Sequence, residues 1–420
     1  MLRRTLLARA TALAGLGFRA RAAGSGLGVV AFTQAEGLWL RDLPDGKPRL
    51  LVSGSKIDSP RFSPSGRWLS YFRNESLYLI PSAGGSPQEL GRPDRGSIVP
   101  GSQWFPHSDD LLVPGPSGLR VFSPGNGWTA TIPNAALPVA FSPDAREIVY
   151  GDAVTLGRGP GGEPMRTGHL CRMALAPPGK PQVLFSKYLA AQFPVFWIGD
   201  SIIFRDDPDF SASVAADGLE LFRLPGSGGS PQSLGVTAVV DADMLALSPQ
   251  GQLAVSAGSG REDWHDRRIA ILNPAGTDIR YLTGPRTAAV SPAWSPSGDR
   301  VAYSAAPAAD GIGGGEEARR VLARRRIWIA DAGGANPPSV LTREPLHRDE
   351  EPTWSADGSR ILFCRIDLRD RKSLWLTDSA GSAPVHVTDL STDPGVLGVK
   401  GTWFGYYGHI DWHRMFDWLR

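Results

Sequence analysis

The sequence predicts an all-β protein: a single β-propeller of eight four-stranded blades, with seven as the alternative count, its ring closed by strands from the N- and C-terminal parts of the chain. Three observations predict it. A turn phrase recurs along most of the 420 residues, short β-type runs follow each copy, and one unit is split between the two ends. Composition agrees. The 50 Gly and 36 Pro punctuate the chain, while 41% hydrophobic residues and 13 Trp supply a core, which excludes disorder, collagen and coiled coil.

The phrase is clearest at Ser59–Gly66 (SPRFSPSG), Pro138–Asp144 (PVAFSPD), Ser291–Gly298 (SPAWSPSG) and Glu351–Gly358 (EPTWSADG), with worn copies at Trp104, Phe196 and Leu247. Pro presets φ at the first corner of the turn, Ser or Asp bonds the local backbone, and Gly supplies φ > 0. A second strand follows, as at Trp68–Phe72, Val301–Ser304 and Ile361–Cys364. A third comes next, as at Leu77–Ile80 and Leu374–Thr377, and a short fourth, as at Tyr281–Thr283. The anchors recur about every 49 residues, which gives roughly eight units. The split unit takes its second to fourth strands from Val29–Phe32, Leu38–Arg41 and Arg49–Val52. Its first strand is expected at Gly401–Phe404, so the ring spans 28–404. Residues 405–420 are expected to cap it as a short amphipathic helix, with Ile410, Met415, Phe416 and Leu419 apolar and His409 and His413 sharing a face.

On these residues the chain resembles the WD-like propeller repeat of the TolB type. The resemblance runs from about residue 28 to 390. It rests on Pro-x-Trp-Ser-Pro-x-Gly, Val301-Ala302-Tyr303, Ile327-Trp328-Ile329-x-Asp331, Gly333-Gly334 and Leu341-Thr342. It implies an envelope-located propeller that binds protein. The α/β domain that precedes the ring in TolB is not found here, so the Tol–Pal role is not carried over. The tail Trp412–Leu419 is similar to the closing helix of prolyl-oligopeptidase hydrolase domains. No Gly-x-Ser-x-Gly occurs, so serine hydrolase or peptidase activity is excluded.

Residues 1–22 read as a signal peptide. Arg3, Arg4 and Arg9 precede the apolar run Ala10–Phe18, Ala20-Arg21-Ala22 fits a cleavage site, and no acid occurs before Glu36. The arginine pair also fits twin-arginine export, so Sec and Tat both stand. Export to the periplasm or outside is expected. Removing the leader takes five of 44 basic residues and leaves 39 against 42 acidic, so no basic field points to nucleic acid. No integral membrane segment is expected in the mature chain, and a monomer is expected. Cys171 and Cys364 fall in separate units and are expected as free, packed thiols.

Hairpin alternation puts the connections after strand two and after strand four on one face of the ring. The long ones are Gly151–His169, Arg205–Gly218, Ala257–Arg268, Ala305–Arg326 and Arg365–Ser373. This face carries the binding candidates for a protein or cell-envelope partner: Arg319, Arg320, Arg324, Arg325, Asp206, Asp207, Arg261, His265, His347 and Arg348. The leading reading is a non-catalytic scaffold with no cofactor. The alternative is a channel-site lyase or lactonase acting on a carbohydrate-type substrate, with a divalent metal on His347, Asp349 and Glu350.

Overall fold

The computed structural model describes residues 26–93, 101–158, 164–175, 179–274, 278–390 and 407–420. The leader expected at 1–22 and the closing strand expected at Gly401–Phe404 lie outside them.

Eight antiparallel sheets of four strands form the ring, each in simple up-and-down order. Blade 1 runs from Ile57–Phe62 to Gln88–Gly91, blade 2 from Gln103–Trp104 to Gly127–Pro133, and blade 3 from Val139–Phe141 to Gln182–Tyr188. Blade 4 runs from Ala190–Ile198 to Gln232–Ala238, blade 5 from Leu245–Leu247 to Ile279–Tyr281, blade 6 from Thr287–Trp294 to Ser339–Val340, and blade 7 from His347–Trp354 to Val385–Asp389. Blade 8 joins Phe416–Leu419 to Val29–Gln34, Gly37–Asp42 and Arg49–Ser53. The eight-blade reading therefore holds and seven does not.

The recurring phrase acts as inferred. Gly66, Gly298 and Gly358 sit at φ 71°, 73° and 69°. In each turn the leading Ser takes the Gly N–H on its carbonyl, and its hydroxyl caps the N–H at the start of strand two: Trp68 at 3.3 Å, Arg300 at 3.1 Å, Arg360 at 2.9 Å. The aromatic of the phrase has a second role, not evident in the sequence. Trp104, Trp294 and Trp354 donate Nε1–H to Arg61, Ala246 and Ala293 carbonyls of the preceding blade at 3.3, 3.2 and 3.0 Å. Each indole thus stitches one blade to the next while filling the space between them. The indole N–H needs such a partner once its ring is buried.

The closing strand is Phe416–Leu419, pairing Phe416 with Phe32 and Leu419 with Val29. The capping helix expected over 405–420 does not form in the described part, 407–420. Phe416 and Trp418 point into the core and alternate with Asp417 and Leu419, a period of two that outweighs the looser helical spacing. Ahead of it a single 3-10 turn, Trp412–Arg414, bends the chain.

Three predicted long loops are more regular than expected. Gly151–His169 continues as paired strand, so blade 3 carries one long hairpin, Glu147–Arg158 with Pro164–Ala174. Arg205–Gly218 and Ala305–Arg326 hold short helices, Ala212–Asp217 and Glu316–Leu322. Cys171 and Cys364 are free and buried. Burial pushes the Cys171 thiol up to about 11 and that of Cys364 well above its ordinary value.

Candidate functional site: the mouth of the central channel

The innermost strands of blades 1, 6 and 7 each break register where the phrase begins. Ser59, Ser291 and Glu351 precede Pro, yet hold φ of 54°, 51° and 53°. A residue before Pro ordinarily favours extended backbone. The left-handed bulge here is therefore imposed by the packing around it. Polar groups at these bulges are all engaged, one of them by the segment that leads into blade 8. Ser59 bonds Asp58, Ser291 bonds Asp243 at 2.9 Å, and Glu351 pairs with His413 at 3.1 Å.

Residues 407–415 form a strap across the channel mouth. His409 Nε2 lies 3.1 Å from Asp243 and Nδ1 3.8 Å from Asp241, both at the entry to blade 5. Arg414 pairs with Asp58 of blade 1 at 2.9 Å, and Arg61 of blade 1 donates to the His413 carbonyl. A segment leading into blade 8 thus reaches blades 1, 5 and 7. Burial opposes charge on His409, but Asp241 and Asp243 outweigh it and hold its pKa well above the usual imidazole value. Burial raises Asp241; for Asp243 burial is overcome by His409 and Ser291, and its carboxyl is held low. The His413 side chain is recessed yet 41% exposed; burial lowers its pKa, but Glu351 raises it more.

The sign of the pH effect follows. A histidine whose pKa is raised by folding contributes fully below its unfolded value of about 6.5 and loses that contribution as pH rises through the raised value. We expect the denaturation midpoint to fall as pH climbs above neutrality, and His409→Gln to flatten that slope. An unchanged slope in the variant would remove His409 from the account. On the acid side, the lowered Asp243 loses its contribution as pH falls below about 3.8.

Beneath the strap lies a buried charge network. Three fully buried guanidiniums, Arg267, Arg325 and Arg348, share the carboxylates of Asp263 and Glu350. Arg267 meets Asp263 at 2.7 Å, Arg325 meets it at 3.2 Å and also pairs with Glu350, and Arg348 meets Glu350 at 2.7 Å. The strap locks onto this network. Trp412 donates to Glu350 at 2.9 Å, Arg348 donates to the Gly408 carbonyl, and Asp263 N–H donates to the Tyr407 carbonyl at 2.8 Å. Burial raises the Asp263 carboxyl, but Arg325 and Arg267 outweigh it and hold it low.

The sequence candidates divide. Arg320 and Arg324 are exposed on the long-loop face, and Arg319 is half-buried between Glu316 and Asp370. Arg261 is held by Asp217 at 2.6 Å and His265 lies 3.3 Å from Glu262. Arg325 and Arg348 are not surface groups, because inward-facing strand ends place them in the buried network. Asp206 and Asp207 are also buried. Asp206 pairs with Lys187, while burial raises Asp207 to about 6 against the Ser211 N–H. Of the residues that organise the mouth, Asp243 was not singled out by any motif, while Asp263 in the loop Ala257–Arg268 and Trp412 in the tail were given no role there.

The divalent-metal trio does not converge. His347 and Asp349 alternate with Arg348 and Glu350 along one strand, so Glu350 faces away from the other two. Asp349 is clamped by Arg365 at 2.6 Å, and Glu350 is taken by Arg325, Arg348 and Trp412. Among the described residues no group of three His, Cys, Asp or Glu side chains is placed to hold a metal. The residues do not fit a channel metal. No helix among them is long and apolar enough to cross a membrane.

Fold and closure define the class as an eight-bladed β-propeller. No family model matches the chain, and no curated protein matches its sequence. Among solved structures it is similar to a candidate dipeptidyl aminopeptidase IV from Bacteroides ovatus (TM-score 0.51, 10% identity, 90% of this chain and 60% of that one). It is also similar to an oligogalacturonate lyase in complex with manganese (TM-score 0.50, 14% identity, 85% and 98%). A third likeness is to TolB from Acinetobacter baumannii (TM-score 0.38, 16% identity, 78% and 66%). The chain spans under two thirds of the first and third of these. At such identities the first two likenesses show the fold alone.

Proposed function

We propose that the chain is an exported TolB-type propeller that docks a protein or cell-envelope component through its long-loop face and performs no chemistry. The placement of exposed apolar side chains carries this reading. Twelve large hydrophobic side chains are exposed among the described residues. Leu50, Trp128, Val183, Tyr281 and Val385 lie on the outermost strands. Tyr188 ends the outermost strand of blade 3 at the long-loop face, and the other six, Val154, Leu156, Val214, Leu346, Leu368 and Tyr407, also lie on that face. Apolar groups concentrated on one face mark a contact surface. The repeat resemblance and the leader-like first 22 residues support the same reading.

The face is also braced from blade 4 to blade 7. Arg261 of blade 5 bonds Asp217 and Ser213 of blade 4, Asp266 takes the Arg286 and Thr287 N–H groups of blade 6, and Arg319 of blade 6 bonds the Leu368 carbonyl of blade 7. A rigid collar presents its contacts without ordering cost on binding. The test is crosslinking to native envelope extract with Leu156→Asp, Leu346→Asp and, on an outer strand, Val385→Asp. The first two are expected to lose crosslinks and the third to keep them. Equal crosslinking by all three would refute the assignment of the face.

A further inference from the structure

We propose that the rim of blades 6 and 7 on the long-loop face is a docking surface for an anionic lipid bilayer. The inference rests on the reading of that face as the docking face and names what it docks.

Leu346 is 62% exposed and Leu368 45%. They are neighbours, since the inner hairpin of blade 7 ends on the His347–Asp367 pair and each leucine is one residue beyond it. Leu346 holds φ 62° at the turn into the blade, and Leu368 lies in the turn between strands two and three. Helix Glu316–Leu322 is fastened beside them, because Arg319 donates to the Leu368 carbonyl at 2.8 Å.

Four exposed arginines surround this pair: Arg320 and Arg324 from the helix side, Arg343 before Leu346, and Arg369 after Leu368. None has an ion-pair partner among the described residues. Their neighbours do: Arg319 has Asp370, Arg365 has Asp349 and Glu344, and Arg371 has Asp367. The exposed Glu316 and Glu317 lie in the first turn of the same short helix; Glu316 comes within 3.9 Å of Arg319, and neither carboxylate forms an ion pair with any of the four. The rim is therefore an apolar tip flanked by four exposed arginines that have no ion-pair partner among the described residues.

An anionic bilayer fits this better than an acidic peptide. A peptide is held in a groove, whereas these leucines project from turn tips. The clefts at Gly235–Thr237 with Arg268 and at Pro114–Leu119 with Asp152 lie on other blades. A bilayer interface takes projecting leucines into its acyl boundary while the arginines reach the phosphates. The second apolar group, Val154, Leu156 and Tyr188, lies on blade 3, across the ring from blade 7. A partner touching both must extend over the whole face, as a membrane does.

The test is co-sedimentation of the purified full chain with vesicles of phosphatidylglycerol mixed into phosphatidylcholine, against pure phosphatidylcholine. Binding is expected to the mixed vesicles alone and to weaken with salt. Each arginine near an anionic surface is worth about fivefold in partitioning, so Arg320→Glu with Arg324→Glu is expected to lower it at least about 25-fold. Leu346→Ser with Leu368→Ser is expected to lower it about tenfold at fixed ionic strength. Both double variants alter exposed side chains, so thermal melting should match the parent and separate lost binding from lost fold. No binding to the mixed vesicles, or binding that both double variants leave intact, overturns the proposal. If vesicles do not bind while Leu346→Asp still removes envelope-protein crosslinks, the lipid inference falls and the docking face stands. If neither responds, both fall.

Discussion

A chain shortened to end at residue 406 is expected to lose cooperative folding altogether. The deletion removes Trp412, Met415, Phe416 and Trp418, none more than 7% exposed. Truncating one such side chain costs roughly 2–5 kcal/mol, so four together cost about 8–20 kcal/mol, comparable to the roughly 5–15 kcal/mol that typically holds a domain folded. It also takes the partner strand from Val29–Phe32 and removes the contacts of Arg414 with Asp58 and of Asp417 with the Phe62 N–H, which tie blade 8 to blade 1. The readouts are a thermal melt followed by circular dichroism and the elution volume on a sizing column. A broad or absent transition with aggregation is expected. A cooperative melt within a few degrees of the parent would show that the ring holds without this strand.

Glu350→Ala is the point substitution expected to cost most. It leaves Arg325 with only Asp263, strips Arg348 of its nearest carboxylate and orphans the Trp412 indole N–H. Breaking a buried pair by removing one partner costs about 3–5 kcal/mol, because the remaining charge stays desolvated. The check is the urea midpoint, with Glu350→Gln beside it. The amide can still accept from Trp412, so it is expected to fall between parent and Ala. Arg320→Ala, on an exposed arginine, should move the midpoint by less than about 0.5 kcal/mol in stability. A Glu350→Ala shift no larger than that of Arg320→Ala would mean the network contributes nothing net.

Much of the ring was legible because its signals are local. Ser63-Pro64-Ser65-Gly66 specifies its own turn, and the hydroxyl and φ > 0 roles read from Ser295 and Gly298 are those observed. Even the worn unit at Leu245–Leu247 keeps this grammar, with Gly251 at φ 83°. Closure was legible as a need but misplaced in register. Gly401–Phe404 reads as β-type, whereas Phe416–Leu419 is spoken for by pairing with Val29–Phe32, which no local window contains. The channel mouth was the least legible part. Arg325 and Arg348 look like surface charge in a run of arginines, and only the fold brings them to Asp263 and Glu350. His409 and His413 were visible as a pair, but their acidic partners at 241, 243 and 351 lie on blades that the linear sequence separates.

The closing pair has a consequence for how the molecule comes into being. Thr33 bonds Met415 across 382 residues of chain. Seven hairpin stacks can form locally as they emerge, but none is a finished object until synthesis has passed residue 419. Until then Val29–Gln34 shows an unpaired edge, and unpaired edges invite pairing with other chains. Contacts so distant in sequence also slow the final step. The nascent protein therefore spends its longest interval as an open crescent. Whatever handles it in that interval, a chaperone or a transport apparatus, meets a sticky edge that the mature ring never shows.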